Sequence, residues 1–489
     1  LAAAAILPRL FRRLPVSLPR RAALCVIPLA ALGLFGGTRV DAQGRHLNAL
    51  VTQVQTGFPQ ARSAAGGGDW RTSPFEHAGG DDLSRFRGAA RGRNVIVVSL
   101  ESTAAQYLPL YGGHDDVMPA LSALARDSVV FDRTYAAYPE SIKGLFSVLC
   151  STFPAFDVDA ETLSRVPCAA LPALLRNAGY ATGLFHSGRF DYLGMEAVIA
   201  NRGYEVREDA GDIGGNHQSS FGVDEPSTAA RMLEWLDALP RGRPFFLTYL
   251  PIAGHHPYET PSPGVFSNDD EFGRYRNALR YGDASLAALV EGLRSRGLDR
   301  HTIWIIVGDH GEAFGQHAGN YGHTFFLYDE NVRVPFVIAA PGLIDGQTHV
   351  RRVVSLIDVA PTILDLLRLK APGGYQGQSA LDSTPRMALF FTDYSLPLAG
   401  LVDGRWKAVH ELTAGRTRLF DLTSDPAEAR DLSARFPVRA NWYAKTLRGW
   451  ASAQKHYVLT AAAANRTGHG GHGGESHGET KQRRAHGGG

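Results

Sequence analysis

Continuous apolar runs set the limits on what this chain can fold into. Asn94-Val95-Ile96-Val97-Val98-Ser99-Leu100 is the first, and Ala181 to Phe185 follows it. Phe245-Phe246-Leu247-Thr248-Tyr249-Leu250, Thr302-Ile303-Trp304-Ile305-Ile306 and Val334-Pro335-Phe336-Val337-Ile338-Ala339 complete the set. None alternates apolar with polar, so each predicts a strand buried on both faces, the habit of parallel sheets. A shorter strand is predicted at Val129-Val130-Phe131. Between the strands, helices are predicted over Met118 to Arg126, from Ser141 onward, Leu171 to Asn177, Pro226 to Ala238 and Phe272 to Arg294. Another begins in Ile357-Asp358-Val359-Ala360-Pro361, with Pro361 suited to a first helical turn. Strands alternating with helices predict an α/β fold: a doubly wound, mainly parallel sheet with helices on both faces. Asp403-Gly404 is a hairpin signal, so Leu401 to Val409 and Arg418 to Leu422 predict a small antiparallel sheet near the C-terminus.

Chemistry-bearing residues recur just past the ends of these runs. In open α/β sheets, ligands bind at the C-terminal edge of the strands. Glu101 follows the first run, His186 and Arg189 follow the second, His255 follows the third, and Asp309 and His310 follow the fourth. A carboxylate beside an imidazole is a hard-to-borderline ligand pair suited to Zn²⁺ or Mn²⁺. Each residue has a plainer reading. Glu101 could cap the next helix, and Asp309 and His310 could form an ordinary strand-end turn. Ser141 sits where Tyr138-Pro139-Glu140 turns into an apolar helix. A helix N-terminus favours an anion such as phosphate, but a serine there is also a common N-cap. Together these residues outline one site at one edge. His317 and His323 follow in a glycine-rich loop.

Composition narrows the class. The 489 residues are 44% hydrophobic and 20% charged, with a formal net charge of +2. That is globular, and it lacks the basic field of a nucleic-acid binder. Ala22 to Gly37 is apolar and is preceded by Arg9, Arg12, Arg13, Arg20 and Arg21. Residues 1–40 are therefore expected to be a membrane anchor with its basic flank in the cytoplasm; a cleaved signal peptide is the alternative. The chain opens on Leu1 rather than Met, so the anchor is expected to continue a longer N-terminal region. Either way, residues beyond about 40 are expected outside the cytoplasm. Residues 41–93 read as a linker. Cys150 and Cys168 could close a disulfide or stay as buried thiols. Residues 461–489, rich in Gly and His, read as a disordered tail rather than a loose metal site.

The motifs resemble the sulfatase branch of the alkaline phosphatase superfamily. They are Asn-Val-Ile-Val-Val-Ser-Leu-Glu-Ser (94–102), His-x-Pro (255–257), Gly-Asp-His-Gly-Glu (308–312), Val-Arg-Val-Pro (332–335), Asp-Val-Ala-Pro-Thr (358–362) and Phe-Asp-Leu-Thr-Ser-Asp-Pro-Ala-Glu (420–428), in family order. The resemblance implies an alkaline phosphatase-like catalytic domain over 94–380 and an α+β subdomain over 381–460. Counting back from Phe153-Pro154 places the family's nucleophile on Ser141. The residues two and four further on are Lys143 and Leu145, where the formylglycine motif of sulfatases has Pro/Ala and Arg. Glu101-Ser102 stands where sulfatases carry paired aspartates. A lone Glu with a hydroxyl nucleophile is closer to lipoteichoic acid synthases and phosphoethanolamine or phosphoglycerol transferases, which are membrane-anchored with extracytoplasmic catalytic domains.

By that resemblance Glu101, Ser141, Asp309 and His310 would hold one divalent metal, Mn²⁺, Zn²⁺ or Mg²⁺. Ser141 would attack phosphorus, with His255 and His323 stabilising charge or moving the leaving-group proton. Lys143, His186 and Arg189 are candidates for holding the head group. For His256 and His317, loop packing is as good an expectation as a role. The implied protein is a membrane-anchored phosphotransferase or phosphodiesterase acting on phospholipid head groups or envelope glycans. It would sit in the inner membrane with its catalytic domain in the periplasm or other extracytoplasmic space, and it would not bind nucleic acid. Sulfate ester hydrolysis is the enzyme alternative, and a non-catalytic envelope protein that keeps the fold is the other.

Overall fold

The computed structural model describes residues 69–75, 80–218 and 221–468. The expected anchor, most of the linker and the tail beyond 468 lie outside the described residues. Among those described, no helix is long and apolar enough to cross a membrane.

The first apolar run is β1 (Asn94–Leu100). It is followed in chain order by β2 (Ser128–Tyr135), β3 (Ala181–His186), β4 (Val206–Glu208), β5 (Phe245–Leu250) and β6 (Thr302–Gly308). A short pair, β7 (Ala313–Phe314) and β8 (Tyr321–Gly322), precedes β9 (Arg333–Val334), β10 (Phe336–Ala339) and β11 (Thr348–Ser355). The main sheet runs β11-β2-β10-β6-β1-β5-β3-β4, with β9 pairing on β2. β4, β3, β5, β1 and β6 are mutually parallel. β10 is antiparallel to both β6 and β2. Parallel neighbours need a long crossover, usually a helix; the segment from β6 to β10 has only the short helix Asp329–Val332, and β10 returns antiparallel beside β6.

Both faces of the sheet are covered, which explains the continuous apolar runs. Val95, Val97, Ile303 and Ile305 pack with Leu145 and Phe146 of α1 (Ser141–Cys150), Leu175 of α2 (Leu171–Asn177) and Ile363. Ile96, Val98, Trp304 and Ile306 pack on the other face with Met232 of α3 (Glu225–Ala238) and Leu286 and Leu289 of α4 (Glu271–Ser295). Ile363 belongs to α5 (Val359–Leu366). Cys150 and Cys168 are disulfide-bonded. Closing a loop of that size is worth roughly 3 kcal/mol in the chain-entropy model.

The C-terminal part is an antiparallel sheet of β12 (Ala388–Thr392), β13 (Leu398–Asp403), β14 (Trp406–Glu411) and β15 (Arg416–Asp421), paired in that order. The hairpin at Asp403-Gly404 is where its turn signal places it. β4, β11 and β12 carry no strong sequence signal and escape prediction. A long helix, α6 (Pro437–Gly468), packs Tyr443, Leu447 and Trp450 against Leu389, Phe391 and Leu401. This corrects the expected tail boundary at 461: the helix continues past it, and Ala462 is buried. Alanine-rich sequence favours helix intrinsically, and the apolar face finds a partner that only the fold supplies.

Buried ion pairs tie the parts together. Lys407 of β14 lies 2.7 Å from Asp329 and 2.8 Å from Glu428. Arg71, in the span read as linker, makes a bidentate pair with Asp358 at the start of α5.

Candidate active site

The register between β1 and β6 creates the centre of the site. Leu100 pairs with Gly308, so the next residues, Glu101 and Asp309, leave the sheet side by side. The Asp309 N–H donates to the Leu100 carbonyl (3.1 Å), and the Ser102 N–H donates to Asp309 Oδ1 (3.0 Å). His310 follows, fully buried, with its Nδ1 donating to the Gly311 carbonyl (2.9 Å). A carbonyl can only accept, so the neutral ring carries its lone pair on Nε2. That atom lies 3.5 Å from Glu101, 3.6 Å from Asp309 and 3.3 Å from Ser141 Oγ.

Ser141 is the first residue of α1, and it is not the cap. Glu140 is: its carboxylate accepts from the N–H groups of Ile142 (3.1 Å) and Lys143 (3.3 Å). Two consequences correct the local sequence reading. The Ser141 hydroxyl is released from capping and donates to Glu101 Oε2 at 2.8 Å. The same two N–H groups, which could have met a phosphate, are already occupied.

The electrostatics call for a cation. Burial would raise the Glu101 pKa, but its hydrogen bond to His310 and the His310 charge hold it well below the usual carboxylate range. Burial and the Glu101 charge push Asp309 up to about 8. Burial opposes the His310 charge, yet Asp309 and Glu101 raise its pKa to about 10. Two buried carboxylates this close need a proton or a metal between them. Ligand atoms of Glu101, Asp309 and His310 all lie within 4.8 Å of one another. Two carboxylates, an imidazole nitrogen and a serine hydroxyl fit a divalent ion such as Mn²⁺, Zn²⁺ or Mg²⁺.

A cavity of about 580 Å³ opens over this cluster and is lined by Glu101, Ser141, Lys143, His186, Arg189, His255 and His323. Every candidate site residue from the sequence therefore reaches the cavity or the cluster beneath it. Their commitments differ. His323 Nδ1 pairs with Glu312 (2.9 Å), leaving Nε2 as the other ring nitrogen, and its ring lies 4.1 Å from that of His310. His255 Nδ1 donates to the His256 carbonyl (2.6 Å), and its ring rests 4.4 Å from Phe221. Its loop comes close because Gly254 lacks a side chain: a Cβ there would stand 2.2 Å from the Glu101 carbonyl oxygen. His186 Nδ1 donates to the Leu250 carbonyl (2.9 Å), and burial lowers its pKa, so it is neutral. Lys143 Nζ is 3.4 Å from Asp393 and 4.1 Å from the Tyr138 ring centroid. Arg189 is exposed at the wall.

His256 and His317 line no part of this cavity. His317 bridges Glu330 (2.6 Å) and the Ala427 carbonyl (2.9 Å) while stacked on Tyr328. It joins the glycine-rich loop to the C-terminal part. Sequence reasoning missed Glu312 as the partner of His323, although it lies inside the Gly-Asp-His-Gly-Glu motif. It also missed Asp393 and Tyr394, which reach the site from the end of β12. Glu225 was missed as well. It accepts from Ser187 Oγ (2.8 Å) and from the N–H groups of Ile252 (2.8 Å) and Ala253 (2.9 Å), which joins the loops carrying His186 and His255.

Comparison with known proteins gives a family. The Sulfatase family model matches residues 93–369, and a model described as N-sulphoglucosamine sulphohydrolase, C-terminal, matches residues 317–438. The chain is 26% identical over 325 residues to the lipoteichoic acid synthase-like protein YvgJ of Bacillus subtilis, covering 62% of this chain and 52% of that protein. It is 31% identical over 174 residues to arylsulfatase K of Bos taurus, covering 32% of each. The chain thus spans about half the length or less of these curated relatives. The crystal structure of the lipoteichoic acid synthase LtaP from Listeria monocytogenes superposes with a TM-score of 0.62 at 18% identity, covering 78% of this chain and 94% of that one.

Proposed function

The chain belongs to the sulfatase family, and on that premise we propose that it is a metal-dependent phosphotransferase or phosphodiesterase with Ser141 as an unmodified nucleophile. The observation that carries this reading is the serine itself. Its hydroxyl is held 2.8 Å from Glu101 and 3.3 Å from His310 Nε2. Lys143 and Leu145 stand where conversion to formylglycine would need Pro/Ala and Arg.

A divalent ion held by Glu101, Asp309, His310 and Ser141 would lower the hydroxyl pKa and offset charge on the phosphoryl oxygens. Glu101 accepts the Ser141 O–H hydrogen bond and orients the oxygen, and the proton passes to solvent as the oxygen attacks. The Oγ–P bond forms, the P–O bond to the leaving group breaks, and the departing oxygen takes a proton from His255 or His323 across the cavity. An acceptor hydroxyl or water then displaces the serine by the reverse sequence. Glu312 holds His323 by Nδ1, so that Nε2 is the ring atom left for proton transfer. Lys143 and Arg189 supply positive charge to the cavity wall.

We place this chemistry outside the cytoplasm on phospholipid head groups or envelope glycans, with the chain attached to the membrane through residues 1–40. The Cys150–Cys168 bond supports an oxidising compartment, and the lipoteichoic acid synthase relatives support the substrate class. Sulfate ester hydrolysis is the second reading, favoured by the arylsulfatase K match. A phosphodiester and a sulfate ester with the same nitrophenol leaving group, assayed with and without EDTA, separate the two. Metal-dependent turnover of the phosphodiester, lost at least 1,000-fold in Ser141→Ala, is expected, by the scale of nucleophile removal. Preferential turnover of the sulfate ester would overturn the proposal.

A further inference from the structure

A second cavity, of about 520 Å³, opens between the outer edge of the main sheet and the C-terminal part. It shares no lining residue with the cavity over Ser141. Its walls carry Arg133, Arg351, Arg352, Arg386, Arg405 and Arg439 against Asp81 and Asp403. That concentration of charge is out of proportion to a chain whose formal net charge is +2.

The backbone builds this concentration. β11 is the edge strand and pairs in parallel with β2, but the register slips between Val350 and Val353. The slip is a β-bulge, a device that turns side chains out of the regular alternation. Arg351 and Arg352 are the residues in the bulge, and they meet Arg133 of β2 at the same cavity.

The guanidiniums are only partly neutralised. Arg386 pairs with Asp69, Arg405 with Asp421 (3.2 Å), and Arg439 approaches Asp403 (3.9 Å). Arg352 donates to the carbonyl oxygens of Asp81 and Ala380, which carry no net charge. Arg133 Nη2 is buried without a hydrogen-bond partner, and Arg351 is exposed. Neither Arg133, Arg351 nor Arg352 has a carboxylate within 4.0 Å among the described residues. Arg133 and Arg351 also line a neighbouring cavity of about 610 Å³ that holds Arg333 and His349 together with Asp132 and Asp329, whose carboxylates are paired with His349 (2.6 Å) and Lys407 (2.7 Å). The basic surface therefore extends past one pocket, as suits an extended ligand rather than a single small anion. Planar, bidentate guanidiniums match tetrahedral oxyanions. Charge on an exposed edge strand also deters edge-to-edge pairing, but edge protection requires neither a cavity nor arginines converging on it from β2, the β13–β14 turn and α6.

We propose that this cleft binds an extended polyanion through repeated phosphate or sulfate ester groups, at a site separate from the one where the ester reacts. The proposal deepens the functional reading by naming a polyanionic chain as substrate or acceptor, and its test does not depend on turnover. Two probes are titrated into full-length Ser141→Ala protein: an abasic deoxyribose-phosphate oligomer and a dextran sulfate oligosaccharide, with neutral dextran as control. Binding that weakens steeply with added salt is expected for at least one anionic probe. Stronger binding of the phosphate oligomer identifies a phosphodiester source, and stronger binding of dextran sulfate a sulfated glycan. Arg351→Gln with Arg405→Gln is expected to weaken binding at least 10-fold, and Arg351→Lys with Arg405→Lys to restore part of it. A control pair at exposed arginines outside the cleft, Arg126→Gln with Arg176→Gln, is expected to change affinity less than threefold. Should the Arg351 variants aggregate, Arg405→Gln alone decides, with an expected loss of at least threefold. No binding of either probe, or equal losses in the cleft and control pairs, would overturn the proposal. Loss of polyanion binding with undiminished turnover of a small ester in the same arginine variants on a Ser141 background would leave the catalytic reading standing. Intact binding with no ester turnover would do the reverse.

Discussion

At the scale of single residues, the decisive event is a change of occupant at the start of α1. A serine there is ordinarily a cap, and capping would consume its hydroxyl. Glu140 takes that job, and the Ser141 hydroxyl turns instead to Glu101. Glu312 does comparable work on the other side of the cavity by fixing one nitrogen of His323. Groups that orient a catalytic or metal-binding histidine typically matter by 10–100-fold. Glu312→Ala is expected to lower kcat by about that factor while KM changes little, and to alter the pH dependence of kcat. Glu312→Gln, which can still accept from Nδ1, is expected to recover part of the loss. Equal loss in both variants would assign Glu312 a purely packing role.

At the scale of elements, the strands were legible because burial on both faces leaves an unbroken apolar signature. β1, β5 and β6 lie almost where those runs place them. The alignment of Glu101 with Asp309 was legible only as a shared edge, since register is a pairing property that one strand does not encode. β11 was not legible. Its Thr348-His349-Val350-Arg351-Arg352 segment is an edge strand with a bulge, so its side chains need not be apolar. Asp393 and Glu225 were equally hidden, because each acts through contacts more than twenty residues away. Within the C-terminal sheet, His410 makes a testable case. Arg448 donates to its Nε2 (3.2 Å) and Thr417 Oγ1 pairs with its Nδ1 (2.9 Å), an arrangement that suits the neutral ring. Burial and the Arg448 charge push His410 down to about 4. Between about pH 6.5 and about 4, the unfolded chain therefore binds a proton that the folded one refuses, and stability falls as pH falls. His410→Gln is expected to flatten this slope in denaturant unfolding curves measured across that window. An unchanged slope would place the titrating group elsewhere.

At the scale of the molecule, the C-terminal sheet contributes to the cavity over Ser141 as well as covering the core. Tyr394 lines the cavity and Asp393 pairs with Lys143 at its wall, and Lys407 anchors the sheet to Asp329 and Glu428. Lys407 is fully buried, and the two carboxylates raise its pKa against the effect of burial. Lys407→Met would strand those carboxylates in an apolar setting, at a cost of about 3–5 kcal/mol. A large fall in thermal midpoint is expected, and a triple variant that also neutralises Asp329 and Glu428 is expected to regain much of it. A wild-type midpoint in Lys407→Met would remove the anchoring role.

The proposed chemistry turns on what happens at one oxygen, Ser141 Oγ. The most direct measurement is mass spectrometry of the peptide carrying Ser141, taken from protein purified with its native metal content and quenched during turnover of a phosphodiester. An unmodified serine before substrate, and a phosphoserine bearing the transferred group after it, is the predicted pair of results. Formylglycine at position 141, or a serine that never acquires phosphorus while substrate is consumed, would contradict the account.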